Sequence, residues 1–557
     1  MLSVFLIWIY ICLTSATIGS FLLRKTSFRT EDRLMFGLMT VTVYAEAFSL
    51  VHKVGLLANA ILIIACIVLI VLFRKKISDK IGSYVSGLKK NKLFPLFIVL
   101  AVLYIAFMAY GSSRGYFHDD SDLYHGQAIR WIEEYGIVKG LGNLHERLAY
   151  NSASFALSAL YSFSFFGGQS YHAVAGFIVT VMLASSFRVF VSVKNKKIGI
   201  ADFARLGVIY YCFNIYDEMV SPASDYFAML FFMYVIVKTI ELCEAKNSQP
   251  EEYAAVAMMA VFTTTVKLSA APVILSCVVP IILLAKEGKA GKIAKYAAYA
   301  VVIILPYFVR EYIISGRLFY PSTAFDVFSP VWKIPERLAI KDSEYIIAYG
   351  RGYNIHEAAG YPFSEWFIHW VGTLSLTEKV LFILCCSSVL LLPLSIALRR
   401  KFTRLHMSEL ICVISFLFWL FTAPLIRYGQ GFLLILPAVM AGDLITFVVG
   451  KTSTGKDKEK KHAKGFGIIF LAVAVLLTVY KLGNAFLGFR YNYAQGLYLN
   501  QLDYGNYEVV ESNVDGVTIY ESANIGKTGY DPFPAVPYIE KGLRLIGSDI
   551  KSGFYIE

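Results

Sequence analysis

Charge is scarce in this sequence. Only 17% of its 557 residues are Asp, Glu, Lys or Arg, where a soluble chain has about 25%. With 57% hydrophobic residues and a mean hydropathy of +0.58, that shortage excludes an ordinary soluble domain. A disulfide framework is also missing. The eight cysteines (Cys12, Cys66, Cys212, Cys243, Cys277, Cys385, Cys386, Cys412) lie in or at the ends of apolar runs and read as small core residues. There is no Gly-x-x-x-x-Gly-Lys-Ser/Thr loop and no Rossmann glycine fingerprint, so nucleotide chemistry has no motif to rest on. The N-terminus carries no basic segment and no small-residue cleavage site, and reads as a retained first span. The net charge of +12 does not imply a nucleic-acid partner. Most basic residues fall in short loops between apolar runs, as cytoplasmic loops do.

What is abundant is long apolar sequence. Continuous rather than alternating runs exclude a transmembrane barrel and predict an all-α polytopic membrane protein. About fourteen spans are expected, near 2–23, 34–50, 55–73, 93–112, 171–193, 200–216, 224–243, 253–267, 268–285, 294–314, 378–398, 407–426, 428–449 and 465–487. Basic loops at 24–33, 74–92, 194–197, 286–295, 399–404 and 451–464 are assigned to one side. The loops at 113–170 and 315–377 and the tail 488–557 then share the outer side, provided that 151–166 does not span. Ser154, Ser158 and Ser162 stripe that segment and suit a helix on the outer face. Residues 122–135 predict a second in-plane helix, with Tyr124, Ala128, Trp131 and Tyr135 on one aromatic face. The chain divides into an N-terminal three-helix extension (1–92), a transmembrane core (93–487) and the small external tail, with short β-like runs at 517–520 and 543–546.

The densest acid and imidazole cluster, His118, Asp119, Asp120, Asp122 and His125, follows directly on an apolar run. Carboxylates crowded at a membrane face point to binding or chemistry. An outward site that uses a lipid-phosphate-sugar donor needs a carboxylate base, cations for the departing phosphate and a groove for the lipid. Asp119, Asp120, Asp122 and Asp225 supply carboxylates; Lys267, Arg310, Arg427 and Arg147 supply cations at predicted outer ends. Bland readings stand beside these. Lys267 is also placed as a snorkelling anchor, and Arg310 with Glu311 as a span-end pair. His118, Asp120 and His125 offer ligand types for a divalent cation such as Mg or Mn, but their spacing matches no specific metal pattern. No metal site or cofactor is assigned.

These residues resemble the GT-C superfamily of membrane glycosyltransferases that use polyprenyl-phosphate sugars. The resemblance rests on the acidic motif before in-plane helices, on Ser221-Pro-Ala-Ser-Asp225 and on Val266-Lys-Leu-Ser-Ala. From about residue 110 the chain also resembles a poorly characterised bacterial membrane-protein family taken as glycosyltransferase-like. The phrases concerned are Asp120-Ser-Asp-Leu-Tyr-His125, Gly140-Leu-Gly-Asn-Leu-His145, Arg147-Leu-Ala-Tyr-Asn151, Tyr320-Pro-Ser-Thr, Trp332-Lys-Ile-Pro335 and Arg427-Tyr-Gly429. The resemblance implies transfer of a sugar to a glycan or lipid acceptor of the cell envelope, on the outer face of a bacterial cytoplasmic membrane. It implies Asp120 as base, with Asp119 and Asp122 competing for the role. It implies Lys267 and Arg427 at the donor phosphate, and Asp225, Tyr124, His125, Gln127, Arg147 and Asn151 around the substrate. Rival readings are a polysaccharide polymerase or ligase with a lipid-diphosphate donor, and a lipid or glycan transporter.

Overall fold

In the computed structural model, residues 1–89, 94–245, 247–452, 456–492, 496–524 and 526–557 are described. The predicted basic loops at 74–92 and 451–464 lie partly outside them. Twenty α-helices precede a small β region. Four long helices open the chain: α1 (Leu2–Leu22), α2 (Thr30–Ser49), α3 (Leu56–Lys89) and α4 (Phe94–Gly111). The loop 113–170 holds α5 (Gly126–Tyr135), α6 (Leu141–Leu144) and α7 (Ala153–Tyr161). The bundle continues as α8 (Val174–Ser186), α9 (Arg188–Lys194), α10 (Ile200–Asn214), α11 (Ser224–Glu244), α12 (Pro250–Val266), α13 (Val278–Lys286) and α14 (Ala290–Ser315). A cap of α15 (Glu336–Gly350) and α16 (Phe363–Thr373) leads to α17 (Leu376–Arg399), α18 (Arg404–Thr422), α19 (Ile426–Thr452) and α20 (Lys456–Asn492).

Among the described residues, eleven helical segments are long and apolar enough to cross a membrane. Every one of the fourteen expected spans falls on helix, but three miss that test: α2, α10 and α12. Charges and polar residues interrupt α2, and α10 and α12 have only 15 and 17 residues. Their flanks show why they end where they do. Asp32 accepts the Arg29 N–H at the start of α2, and Pro250 with Glu252 opens α12. The central helix is α11, 83% buried over its most apolar stretch. Segment 151–166 holds the short α7, all of whose residues are buried among neighbouring elements, so the expected helix on the outer face is corrected.

The helices alternate, and contacts fix which loops share an end. Basic ends meet acids at one end: Arg188 with Glu31 (2.6 Å), Lys238 with Asp32 (2.7 Å) and Lys289 with Glu251 (3.6 Å). The other end gathers the loop 113–170, the turn at 215–223, the cap and the tail. Arg114 pairs with Asp217 at 2.9 Å, and the Tyr116 N–H donates to the Asp217 carbonyl. Gly115 permits this approach, because its φ is +106° and a Cβ there would lie 1.9 Å from that carbonyl.

The tail is more ordered than its short β-like runs predict. Strands β1 (Val509–Val514) and β2 (Val517–Ser522) form an antiparallel hairpin, and β3 (Ala535–Val536) joins β2 in parallel. The two-residue turn Asp515-Gly516 has both φ angles positive, the geometry that suits strand twist. A second pair is β4 (Leu543–Leu545) with β5 (Phe554–Ile556). The tail covers the loop that holds α5. Phe533 and Phe554 lie edge-on to Trp131, so the aromatic face of α5 is an internal layer. The expected in-plane helix at the bilayer surface is thereby corrected: the partner of that face is protein.

Candidate functional site

Four chain segments meet at the end of the bundle that carries the tail. Asp120 leads into one turn of π-helix, Ser121–His125, a form common at functional sites. Asp225 sits in the first turn of α11, Lys267 is the extended residue after α12, and Arg427 lies in the first turn of α19. Asp225 at a helix N-terminus is favoured by the helix dipole, whereas Arg427 there is opposed by it and needs anionic partners. It has them. Nη2 of Arg427 donates to Asp120 at 2.9 Å and Nε lies 3.0 Å from Asp225. Lys267 also bonds Asp225, and its ammonium stands 3.7 Å from the Tyr428 ring centre. Arg147 donates to the other Asp120 oxygen, Oδ1, at 3.3 Å. Two carboxylates and three cations leave these five groups with one net positive charge, which suits an anion.

His118 is held neutral. Its Nδ1 accepts from the Asp120 N–H (3.1 Å) and from Arg427 Nη1 (2.8 Å), which leaves the ring proton on Nε2. Burial and the guanidinium together keep its pKa below the usual value against the pull of nearby carboxylates. Burial alone would raise Asp120, but Arg427, His125, His118 and Arg147 outweigh it and hold the carboxyl well below the usual range. Beside Arg427 and His118 opens a cavity of about 410 Å³, walled by Asn214, Glu218, Tyr349, Trp370, Glu378 and Gln430.

The remaining expected site residues lie elsewhere. Asp119 is 84% exposed and pairs with Lys527 of the tail at 2.6 Å. Both oxygens of Asp122 accept from the tail, from the Gly505 N–H at 3.1 Å and the Tyr507 hydroxyl at 2.8 Å. The Gln127 amide is taken up entirely by the tail, donating to the carbonyls of Gly529, Tyr530 and Pro532 and accepting the Ala535 N–H. Asn151 bridges Arg310 (3.0 Å) and the Tyr307 carbonyl (2.9 Å). His125 is buried against Phe155 and Tyr124, which drives its pKa down to about 3. Tyr124 is also buried and stands edge-on to Tyr150.

His118, Asp120 and His125 do not converge on a cation position, since the guanidiniums occupy Asp120 and His125 meets Ser121. Among the described residues, His406, Glu409 and Asp443 form the group with three ligand atoms close together, within 4.8 Å. This cluster is buried at the opposite end of the bundle, and sequence reading missed it. A compact His/Glu/Asp set of this kind could coordinate a divalent cation. His406 and Asp443 are already engaged in hydrogen bonds, however, while Glu409 is not. The Thr403 N–H donates to His406 Nδ1, so Nε2 carries the proton and faces Ser395 Oγ at 3.3 Å. Ser395 and Arg399 both donate to Asp443, while the Glu409 oxygens are buried without hydrogen-bond partners. A metal ligand bound through Nε2 would instead need an acceptor at Nδ1. The sequence signal was the presence of Glu409 and Asp443 inside apolar runs.

No curated protein and no solved structure matches the chain. One family model does, over residues 1–434, which takes in the three N-terminal helices as well as the helices that carry Asp120, Asp225, Lys267 and Arg427. The chain is a multi-pass helical membrane protein and belongs to the family described as Domain of unknown function (DUF8201).

Proposed function

We propose that the chain is a GT-C-type membrane glycosyltransferase. It would move a sugar from a polyprenyl-phosphate donor to a cell-envelope acceptor, at the outer face of a bacterial cytoplasmic membrane. The observation that carries this reading is the meeting of Asp120, Asp225, Lys267 and Arg427 beside a cavity of about 410 Å³. In this reading Lys267 and Arg427 hold the phosphate as its charge grows, and Arg147, 37% exposed, is the third cation. Lys267 has three N–H donors and directs one at Asp225, so a phosphate oxygen can be added without breaking that pair. Asp120 stays ionised and faces the positive charge that develops on the sugar in the transition state.

A transport reading draws support from a separate observation, the buried His406/Glu409/Asp443 group at the other end. Native mass spectrometry of the delipidated protein separates the readings. Undecaprenyl phosphate, undecaprenyl diphosphate and phosphatidylglycerol are added as probes to wild type and R427A. The proposal expects the monophosphate to bind most tightly and to weaken at least tenfold in R427A. Preference for the diphosphate would favour a polymerase or ligase. Equal binding of all three lipids in both proteins would leave the transferase reading without support.

A further inference from the structure

Between α14 and α15 the chain makes a loop whose charges are drawn in and whose apolar side chains are left outside. Its ends are tied together. The Ile334 N–H donates to the Ser315 carbonyl at 3.0 Å, and Arg317 Nη2 donates to the Ile334 carbonyl at 3.1 Å. Asp326 is held back to these ends by Arg317 (3.1 Å) and Lys333 (2.7 Å), and Arg317 is buried. Phe325, Val327 and Val331 are instead 76%, 69% and 70% exposed, and Phe328 is exposed too. Phe325 also holds the left-handed conformation, with φ +58°. A bulky residue rarely takes it, and such outliers accompany functional constraint. A loop surrounded by water has the reverse arrangement, so this contiguous apolar patch marks a partner.

The adjoining helix identifies that partner. With 26 residues, α14 is long and apolar enough to cross a membrane. Val301 and Leu305 are exposed on it, and Phe308 and Tyr312 continue the same face at steps of three and four residues. Those two rings receive the loop. Phe308 stands edge-on to Phe319, with ring centres 5.2 Å apart, and Phe319 lies 5.9 Å from Phe325. Tyr312 is edge-on to Phe328 at 4.9 Å, and Trp332 Nε1 donates to the Tyr312 carbonyl at 3.3 Å. The lipid-facing stripe of α14 thus runs without a break into the exposed rings of the loop. At about 1.5 Å per residue the helix is about 39 Å long, against a hydrocarbon core of about 30 Å, so its ends reach the headgroups. Aromatic and apolar side chains on a basic root suit that depth. Tyr320-Pro-Ser-Thr and Trp332-Lys-Ile-Pro335, two phrases of the sequence that the site does not use, are the flanks of this loop.

We propose that residues 322–331 are a membrane anchor, in which Phe325, Val327, Phe328 and Val331 enter the headgroup–acyl boundary of a phospholipid bilayer beside α14. The inference does not depend on sugar transfer. Its consequence lies in the cap. The loop runs directly into α15, whose Tyr349 and Gly350 wall the cavity beside Arg427. The anchor therefore ties that wall to the lipid surface.

The test uses the full-length protein with p-benzoylphenylalanine at position 325, 327 or 331, one at a time. The control carries it at Val510, an exposed apolar residue of the tail strand β1. Each protein is placed in nanodiscs of phosphatidylcholine and phosphatidylglycerol, irradiated and digested. Peptides that carry a phospholipid adduct are then quantified by mass spectrometry. Adducts at 325, 327 and 331 should exceed those at 510 at least fivefold, and a smaller ratio at all three would overturn the inference. Cross-links that join two chains and outnumber the lipid adducts would overturn it in favour of a second copy on this surface. If the substitution at 325 prevents accumulation, 327 and 331 decide the question by the same ratio.

Discussion

Replacing Gln127 by Ala should release the tail. Gln127 is almost fully buried, and its one amide serves three tail carbonyls and the Ala535 N–H. Truncation leaves that N–H and at least one carbonyl without a partner in a buried seam. Each such group costs about 1–3 kcal/mol, so docking should weaken by about 2–6 kcal/mol. Tail segments open locally rather than with the whole bundle. At a factor of ten per 1.4 kcal/mol, amide exchange in 527–536 should speed up about 30- to 20,000-fold. Hydrogen–deuterium exchange in detergent or nanodiscs reads this directly. Lys527→Ala is the contrast, because its partner Asp119 is exposed and such pairs contribute about 0–1 kcal/mol; less than a fivefold change is expected. Exchange in Q127A within twofold of wild type would refute the assignment of Gln127 as the main tie between tail and loop.

Three other outcomes are expected. Gly37→Leu should abolish a folded monodisperse peak in size-exclusion chromatography, because a Cβ there would lie 1.9 Å from the Ser15 carbonyl of α1. Gly467→Leu, with open space around it, should behave as wild type. Burial pushes His145 down to about 4, and its Nδ1 accepts the Arg147 N–H as a neutral ring does. The unfolded chain, with a His pKa of about 6.5, binds the extra proton between those values. Stability should therefore fall as pH drops from about 6.5 to 4, by about 3 kcal/mol from this residue. Thermal unfolding of H145Q should be correspondingly less sensitive to acid, and parallel pH profiles would contradict this. At the buried cluster, the Nε2 proton of His406 and the Arg399–Asp443 pair predict no stoichiometric divalent ion by elemental analysis. One ion per chain, lost in H406A, would show that these bonds rearrange to bind metal.

Much of the bundle was readable because its apolar runs are continuous and its charges are rare. The same rarity made Asp120, Asp225, Lys267 and Arg427 conspicuous, and the structure brings these four together. The expected spans at α2, α10 and α12 fall on helix but miss the test of length and apolarity, because charges interrupt α2 and because α10 and α12 have only 15 and 17 residues. Gln127, Asp122 and Asn151 were visible as polar residues in a marked loop. Sequence alone could not tell whether their partner was a substrate or the chain itself, since the tail that meets Gln127 lies about 400 residues away. The buried carboxylate of Asp342 was hidden for the opposite reason. It stands among Lys341, Glu344 and other charges of a polar helix, and only the tertiary hydrogen bond from Tyr150 distinguishes it. His406, Glu409 and Asp443 come from two helices and meet only in the folded bundle.

The central claim, sugar transfer from a polyprenyl phosphate, is tested most directly by one paired profile. Wild type and Asp120→Asn are expressed at equal levels in a strain lacking the gene. Surface glycans and polyprenyl-linked sugars are then measured together by mass spectrometry. The account predicts that wild type restores a glycan missing from the deletion strain. It predicts that Asp120→Asn does not, and instead accumulates a polyprenyl-phosphate sugar. If deletion changes neither glycan nor lipid, the claim is contradicted.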